Sequence, residues 1–312
     1  MLERYRAILD GEIRPYYLQA KNNESDKSLS DFDRDDLWAE VDEFRRENEV
    51  PPLGLKKRIV NEMLQSCKFC ERKCGIDRVS GQKGYCKVEE TKISSEFLHM
   101  GEESELVPSH TVFFAGCNFE CAFCQNYEIS QHNQGRFIQP EILANKIETG
   151  GGKNVNWVGG DPTPNLPYII RVLDKLNAPL PQIWNSNMYL TEKAMKILSQ
   201  LMDVYLTDFK YGNDECAQRL SDVEAYSFVV RRNHLIAEKT GDLIIRHLVL
   251  PGHIECCTKP ILEWIDRNLE NPRINIMTQY RPVWHADQHV DINRYLNTSE
   301  KKEIRELRKK YC

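Results

Sequence analysis

The stretch GCNFECAFCQNYEIS, residues 116–130, sets Cys117, Cys121 and Cys124 in a C-x3-C-x2-C spacing. A short irregular loop can aim three such thiols at one point, and thiolate is the ligand that holds iron in a 4Fe-4S cluster. Three ligands leave one iron open to a cofactor or substrate, whereas a cluster that only carries electrons normally takes four cysteines. The spacing by itself also admits buried apolar cysteines, or three ligands of a zinc site completed from elsewhere in the chain. The run TVFFAG that leads into the motif reads as a core strand whose C-terminal end delivers the loop.

Outward from that strand, apolar and β-branched runs recur at NVNWVGG, QIWNSN, VYLTDFKYG, LIIRHLVLPG and INIMTQY. Between them lie helical patterns at PEILANKIETG, PYIIRVLDKLN, LTEKAMKILSQLM, YSFVVRRNHLIAEK and KPILEWIDRNL. Continuous apolar strands alternating with helices predict an α/β fold with a parallel sheet or partial barrel. In barrels of this kind chemistry sits at the C-terminal ends of the strands, and the polar motifs fall there.

After the first strand come the three cysteines, and after the second Gly159, Gly160 and Asp161. The third carries Asn185, Ser186 and Asn187, and the fourth Asp208 and Lys210. The fifth brings Arg246 and His247, and the sixth Gln279, Tyr280 and Arg281. Glycines after the second strand allow close backbone approach to a ligand, although an ordinary strand-to-helix turn uses them too. The mixture of carbonyls, cations, amides and hydroxyls suits a zwitterionic cofactor that carries a ribose.

The cysteine spacing, Phe123 before the third cysteine and the preceding strand resemble the radical S-adenosylmethionine (SAM) superfamily. NVNWVGGDPTP looks like its Gly-Gly-Glu element with Asp161 in the acidic place, a departure that bears on any contact needing the longer glutamate. CKFCERKCG, GQKGYC, HMGEE, FFAGCNFECAFCQNYEIS, VYLTDFKY, IRHLVLPG and INIMTQYRP resemble PflX-type pyruvate formate-lyase activating enzyme-like proteins, from about residue 65 to 282. The resemblance implies an open, partial (β/α)6 TIM-like barrel and a 4Fe-4S cluster on Cys117, Cys121 and Cys124. It implies SAM on the open iron with Gly159 and Gly160 near its ammonium, and Asp208 and Lys210 as a SAM-proximal D-x-K pair. A barrel-lining salt bridge is the plainer reading of that pair. Asn185 and Asn187 are ribose contacts or turn formers, and the fork of Arg246 suits a carboxylate or the substrate.

The implied reaction is reductive cleavage of SAM to methionine and a 5'-deoxyadenosyl radical, which abstracts hydrogen from a protein glycine or, alternatively, from a small metabolite or peptide. The implied electron partner is a low-potential donor such as a flavodoxin or ferredoxin. A non-catalytic iron-sulfur or zinc protein is the reading from another class, and it has no use for an open iron.

A second set, CKFCERKCGIDRVSGQKGYC, places Cys67, Cys70, Cys74 and Cys86 so that four thiols can close a metal's shell, as structural zinc or as a further 4Fe-4S cluster. Cys216, Cys256, Cys257 and Cys312 are scattered and read as structural, with a thiol role near the site open for the adjacent pair. His285 and His289 have i, i+4 spacing but lack further ligands.

The sequence divides into a helical extension (1–60) that Pro51 and Pro52 close, a cysteine-rich segment (61–100), the barrel (105–285) and a C-terminal helical tail (286–312) capped at Thr298 or Ser299. A net charge of -5 without a basic stripe points away from nucleic acid, and no apolar run is long enough for a membrane span. Eleven cysteines then suit a reducing, cytoplasmic setting, where clustering means metal or catalysis rather than disulfides.

Overall fold

The six apolar runs become six parallel strands lying side by side in chain order: β2 (Ser109–Phe114), β3 (Val155–Gly159), β4 (Gln182–Ser186), β5 (Val204–Asp208), β6 (Asp242–Leu248) and β7 (Arg273–Met277). A seventh, β1 (Ile93–His99), pairs antiparallel with β2 and makes one edge of a sheet that does not close. The sequence did not announce β1, because Ser94, Ser95 and Glu96 break its apolar pattern and most of its side chains reach solvent. The computed structural model describes residues 2–23, 33–47 and 49–312. Most of the polar connection KNNESDKSLSDFDRDD (21–36) lies outside the described residues.

The period-two alternation of a strand sorts the side chains into two layers. Trp157, Trp184, Tyr205 and Ile245 face the covering helices and join the large core. Ile183, Val204, Leu206 and Ile244 face inward in a separate apolar cluster with Leu106. Two residues further along the same inward face stand Asn185, Asp208 and Arg246. The barrel interior is therefore apolar toward the strands' N-terminal ends and polar at their C-terminal ends, and that gradient places the site.

The covering helices are α6 (Pro140–Thr149), α7 (Leu166–Lys175), α8 (Glu192–Leu198), α9 (Asp214–Ser221), α10 (Tyr226–Thr240) and α11 (Lys259–Asn268). Their apolar stripes are buried; α7 alone buries Leu166, Tyr168, Ile169, Ile170, Val172 and Leu173, each worth on the order of 1.5–3 kcal/mol relative to exposure.

The N-terminal extension closes the bottom of the barrel. Helix α1 (Glu3–Leu9) contributes Tyr5, and Leu2 just before it, to the inner apolar cluster. Arg4 Nε donates to Asp203 Oδ1 at 2.9 Å, and the Tyr5 N–H donates to Asp242 Oδ2 at 2.7 Å. Helices α2 (Tyr16–Asn22), α3 (Arg34–Arg46) and α4 (Leu53–Gln65) continue around the outside, with α4 packed on α7. Pro51 and Pro52 thus open a fourth helix instead of closing the segment, since the fixed φ of proline suits a helix start. Lys56 of α4 is buried, and its Nζ donates to the carbonyls of Ile197, Ser199 and Gln200 at the C-terminus of α8, where a cation is favoured. The tail forms α12 (Thr298–Tyr311), but its cap is Asn297 in a capping box with Glu300, one residue earlier than expected. Asparagine caps as well as serine or threonine, so the three-residue spacing to Glu300 decides.

Candidate active site at the strands' C-terminal ends

The loop that leaves β2 turns at Gly116, whose φ of 85° lies in the left-handed region and whose added Cβ would stand 2.3 Å from a Val88 methyl and 2.8 Å from the Cys86 carbonyl oxygen. Its return is the short helix α5 (Tyr127–Ser130). Cys117 and Cys124 are half-buried and Cys121 is buried, and all three line one cavity of about 260 Å³. Each sulfur has a polar neighbour. The Phe119 N–H donates to Cys117 at 3.4 Å, the Ser221 hydroxyl donates to Cys121 at 2.9 Å, and Ser130 Oγ lies 3.1 Å from Cys124.

Burial, then Asp161 and the neighbouring thiols, push the Cys117 thiol well above its ordinary range. Burial likewise lifts Cys121 to about 11, against the pull of Lys210. Thiols so placed ionise when a cation takes the proton's place, and three thiols lining one cavity, two of them met by N–H or O–H donors, fit an iron-sulfur cluster.

The opposite wall is a charged network. Lys210 Nζ donates to Asp208 Oδ2 at 2.8 Å, and Arg246 Nε donates to Asp208 Oδ1 at 3.0 Å. Arg246 also reaches Asn185 Oδ1 at 2.6 Å and Glu102 Oε2 at 3.3 Å, so its fork is engaged within the protein. Burial works to raise the Asp208 carboxyl, but Lys210 and Arg246 outweigh it and hold the group down at about 2. Burial works to lower Lys210, and Asp208 and Cys121 raise it instead, so it stays an ammonium facing the cavity. Asn185 Nδ2 is buried and has no partner, although the residue lines the cavity.

Gly159 and Gly160 also line the cavity, but protein backbone is what requires them to be glycine. A Cβ on Gly159, at φ 125°, would stand 2.1 Å from the Phe114 carbonyl oxygen, and one on Gly160 would stand 2.2 Å from the Gly116 oxygen. The pair lets β3 and the cysteine loop touch. Asp161 is buried beneath them and binds Ser186 Oγ and the Asn187 N–H, each at 3.0 Å, and the Thr163 N–H at 2.9 Å. It staples the end of β3 to the end of β4. Asn187 Nδ2 in turn donates to Asn118 Oδ1 at 2.7 Å, beside Cys117.

Of the later residues, Gln279 lines the cavity and Arg281 a neighbouring groove. His247 faces away on β6, between the Phe209 carbonyl and Thr258, and burial lowers it to about 4, so it is neutral. Tyr280 donates to the Ile292 carbonyl, and His285 and His289 flank a single 3-10 turn with no helix between them.

Cys67, Cys70, Cys74 and Cys86 lie on largely irregular backbone, with Cys70 bridging antiparallel to Leu190, and burial followed by the other three thiols raises Cys70. A Cβ on Gly84 would stand 3.0 Å from Cys74 Sγ. Arg72 Nε donates to the Asn118 carbonyl at 3.0 Å, so the segment braces the loop of Cys117, Cys121 and Cys124 directly.

Glu102, Ser130 and Ser221 were not singled out in the sequence. HMGEE held a signal for Glu102, a pair of acids beside apolar residues; the two serines sit in contexts that nothing local distinguishes.

The sequence profile of the radical SAM superfamily matches residues 111–265, the span that carries this geometry. The chain belongs to the radical SAM superfamily. It is 47% identical over 268 residues to the uncharacterized protein MJ0674 of Methanocaldococcus jannaschii, an alignment covering 83% of this chain and 79% of that one. Among solved structures, methylornithine synthase (PylB) superposes with a TM-score of 0.44 at 12% identity, covering 98% of this chain and 76% of the other. SuiB of Streptococcus suis bound to its precursor peptide SuiA gives 0.44 at 13% identity over 62% of this chain, which spans 43% of the SuiB chain. Membership of this radical SAM superfamily makes the protein an enzyme of SAM-dependent radical chemistry. No helix among the described residues is long and apolar enough to cross a membrane.

Proposed function

We propose that Cys117, Cys121 and Cys124 hold a 4Fe-4S cluster and that the wall of Asn185, Asp208, Lys210 and Arg246 receives SAM. The observation that carries this reading is one cavity shared by the three thiols and by Asn185, whose Nδ2 has no partner. When bound, the cluster and SAM supply reductive cleavage to methionine and a 5'-deoxyadenosyl radical that takes a hydrogen atom from the substrate. The chain's own residues orient and insulate. The Lys210 ammonium offers a fixed positive charge near Cys121, and Asn185 Nδ2 offers a donor to a ribose or carboxylate oxygen. Asp208 and Glu102 hold Arg246, which keeps the wall rigid, and Asp161 keeps the glycine pair pressed against the cysteine loop.

Gln125 and Asn126 are shared between the cavity and a groove with Tyr127, Glu128 and Arg281, which gives an extended chain a track toward the site. That continuity favours a protein or peptide substrate, and with the activating-enzyme motifs it favours a peptidyl glycine over a small metabolite. A low-potential flavodoxin or ferredoxin would supply the electron, and the set at Cys67, Cys70, Cys74 and Cys86 would hold a second metal beside the loop.

The test is anaerobic incubation of the reduced protein with SAM. Release of 5'-deoxyadenosine is expected, and its loss when Cys121 is replaced by Ala; no release from the intact protein sinks the reading. A glycyl radical detected on a partner protein would fix the substrate class, and turnover with a small metabolite would overturn it.

A further inference from the structure

The cysteines that read as scattered meet in space. Helix α9 carries Cys216 on its buried face, and the chain returns through α10 and β6 to a π-helical turn, Ile254–Thr258, that presents Cys256 and Cys257. Cys216 Sγ lies 3.9 Å from Cys256 Sγ, and Cys256 Sγ lies 3.9 Å from Cys257 Sγ. His253 is buried at the start of that turn, and one donor atom from each of Cys216, His253 and Cys256 lies within 4.8 Å of the other two. A tetrahedral zinc with Zn–S bonds of about 2.3 Å separates its sulfurs by about 3.8 Å, the spacing of these two pairs, with Cys216, His253 and Cys256 gathered and Cys257 beside them.

The tautomer of His253 suits a ligand. Nδ1 is 2.8 Å from the Pro251 carbonyl, which can only accept, so Nδ1 carries the proton. Nε2 then offers a lone pair, and Arg219 donates to it at 3.1 Å. A histidine that gives its second ring proton to a backbone carbonyl is held in the orientation that metal ligation uses. Arg219 does not depend on that contact, because it is also bound by both oxygens of Asp291, at 3.1 and 2.6 Å. Next to a metal carrying three thiolates it supplies the compensating positive charge.

The site is also closed from below. A Cβ on Gly212 would stand 2.6 Å from the Cys256 carbonyl oxygen, and Asn213 caps α9 at the Cys216 N–H while holding that same carbonyl. Cys256 reaches solvent and gives an ion its way in.

We infer that Cys216, His253, Cys256 and Cys257 form a metal site distinct from both cysteine motifs, a Cys3His donor set that takes zinc. The three thiols lose their protons to solvent as the metal enters. Its place in the fold gives it a task. The far end of α9 carries Ser221, which donates to Cys121, so a clamp at Cys216 fixes the helix that supports the cluster loop.

The experiment is zinc and iron analysis of the full chain, produced with both metals, purified anaerobically and dialysed against EDTA. It compares the wild type with Cys216→Ser/Cys256→Ser and with Cys67→Ser/Cys70→Ser. About one zinc per chain is expected in the wild type and in the second variant, and at least a ~10-fold lower content in the first. Retained iron in the first variant shows that it has folded. His253→Cys is expected to keep the zinc and His253→Ala to weaken its retention about 10-fold or more. Absence of zinc from the wild type, zinc unchanged by the first variant, zinc lost only in the second, or a Cys216–Cys256 disulfide in the anaerobic protein would each overturn the inference. None of these readouts depends on SAM cleavage, so it stands or falls separately from the proposed reaction.

Discussion

Asp203 and Asp208 bracket the same strand, β5, and burial treats them oppositely. At the bottom of the barrel, Asp203 is held at about 6 because burial outweighs Arg4 and the N–H groups of Gln182 and Tyr16. At the mouth, burial again works to raise Asp208, but two cations overcome it and the group sits at about 2. One carboxylate is a clasp for the N-terminal extension. The other is a charge kept ionised so that Lys210 and Arg246 stay fixed beside the cavity. Rigid charge suits the wall proposed to receive a polar cofactor, and the closed end needs only satisfied hydrogen bonds.

The sharpest way to break the contrast is Arg246→Ala, which strands Asp208 and Glu102 without their shared partner. A loss of about 3–5 kcal/mol in urea unfolding is expected, with 5'-deoxyadenosine release reduced by at least about 100-fold. Lys210→Met removes the cation nearest Cys121, and a fall of about 10–100-fold in the same assay is expected, with unfolding changed by about 1–2 kcal/mol. At the other end, Arg4→Ala should cost a similar ~1–2 kcal/mol in stability while leaving 5'-deoxyadenosine release within about twofold. A large catalytic effect of Arg4→Ala would erase the division between clasp and site.

The pH dependence sharpens the comparison further. Asp208 has a folded pKa of about 2, below the unfolded value of about 3.9, so its contribution is complete above the unfolded value and is lost as pH falls through the folded one. Asp203 is reversed: with a folded pKa of about 6, its contribution is complete below about 3.9 and is lost as pH rises through the folded value. Stability curves of Asp208→Asn and Asp203→Asn should therefore flatten in different windows, the first on the acid side and the second between the unfolded and folded values. The smallest expected change is Asn297→Ala, about 1 kcal/mol from the lost cap of α12, with no change at the mouth.

The six parallel strands are legible because buried parallel strands are written as continuous apolar runs, as in VYLTDFKYG, and five of the six covering helices show a helical pattern; α9, DECAQRLS, is too short and polar to announce itself. Strand β1 is not legible either, since an exposed edge carries Ser94, Ser95 and Glu96 in place of an apolar run. The cysteine loop announced itself by spacing, and Asp208, Lys210 and Arg246 by their places at strand ends. Glu102 comes from a connection outside the β-α units, and its meeting with Arg246 is a product of register that no local pattern encodes. For Gly159 and Gly160 the sequence identified the positions but not the cause, since backbone contact with Phe114 and Gly116 is visible only once the strands pair. Cys216 and Cys256 look scattered in the sequence because forty residues of chain separate them before the fold joins them.

The most direct measurement is EPR of the anaerobically reduced protein with and without SAM, on the wild type and on the variant with Cys117, Cys121 and Cys124 all replaced by Ala. The superfamily reading predicts a 4Fe-4S signal that shifts when SAM is added and that disappears in the variant. A signal indifferent to SAM, or one that survives unchanged without those three cysteines, would contradict it.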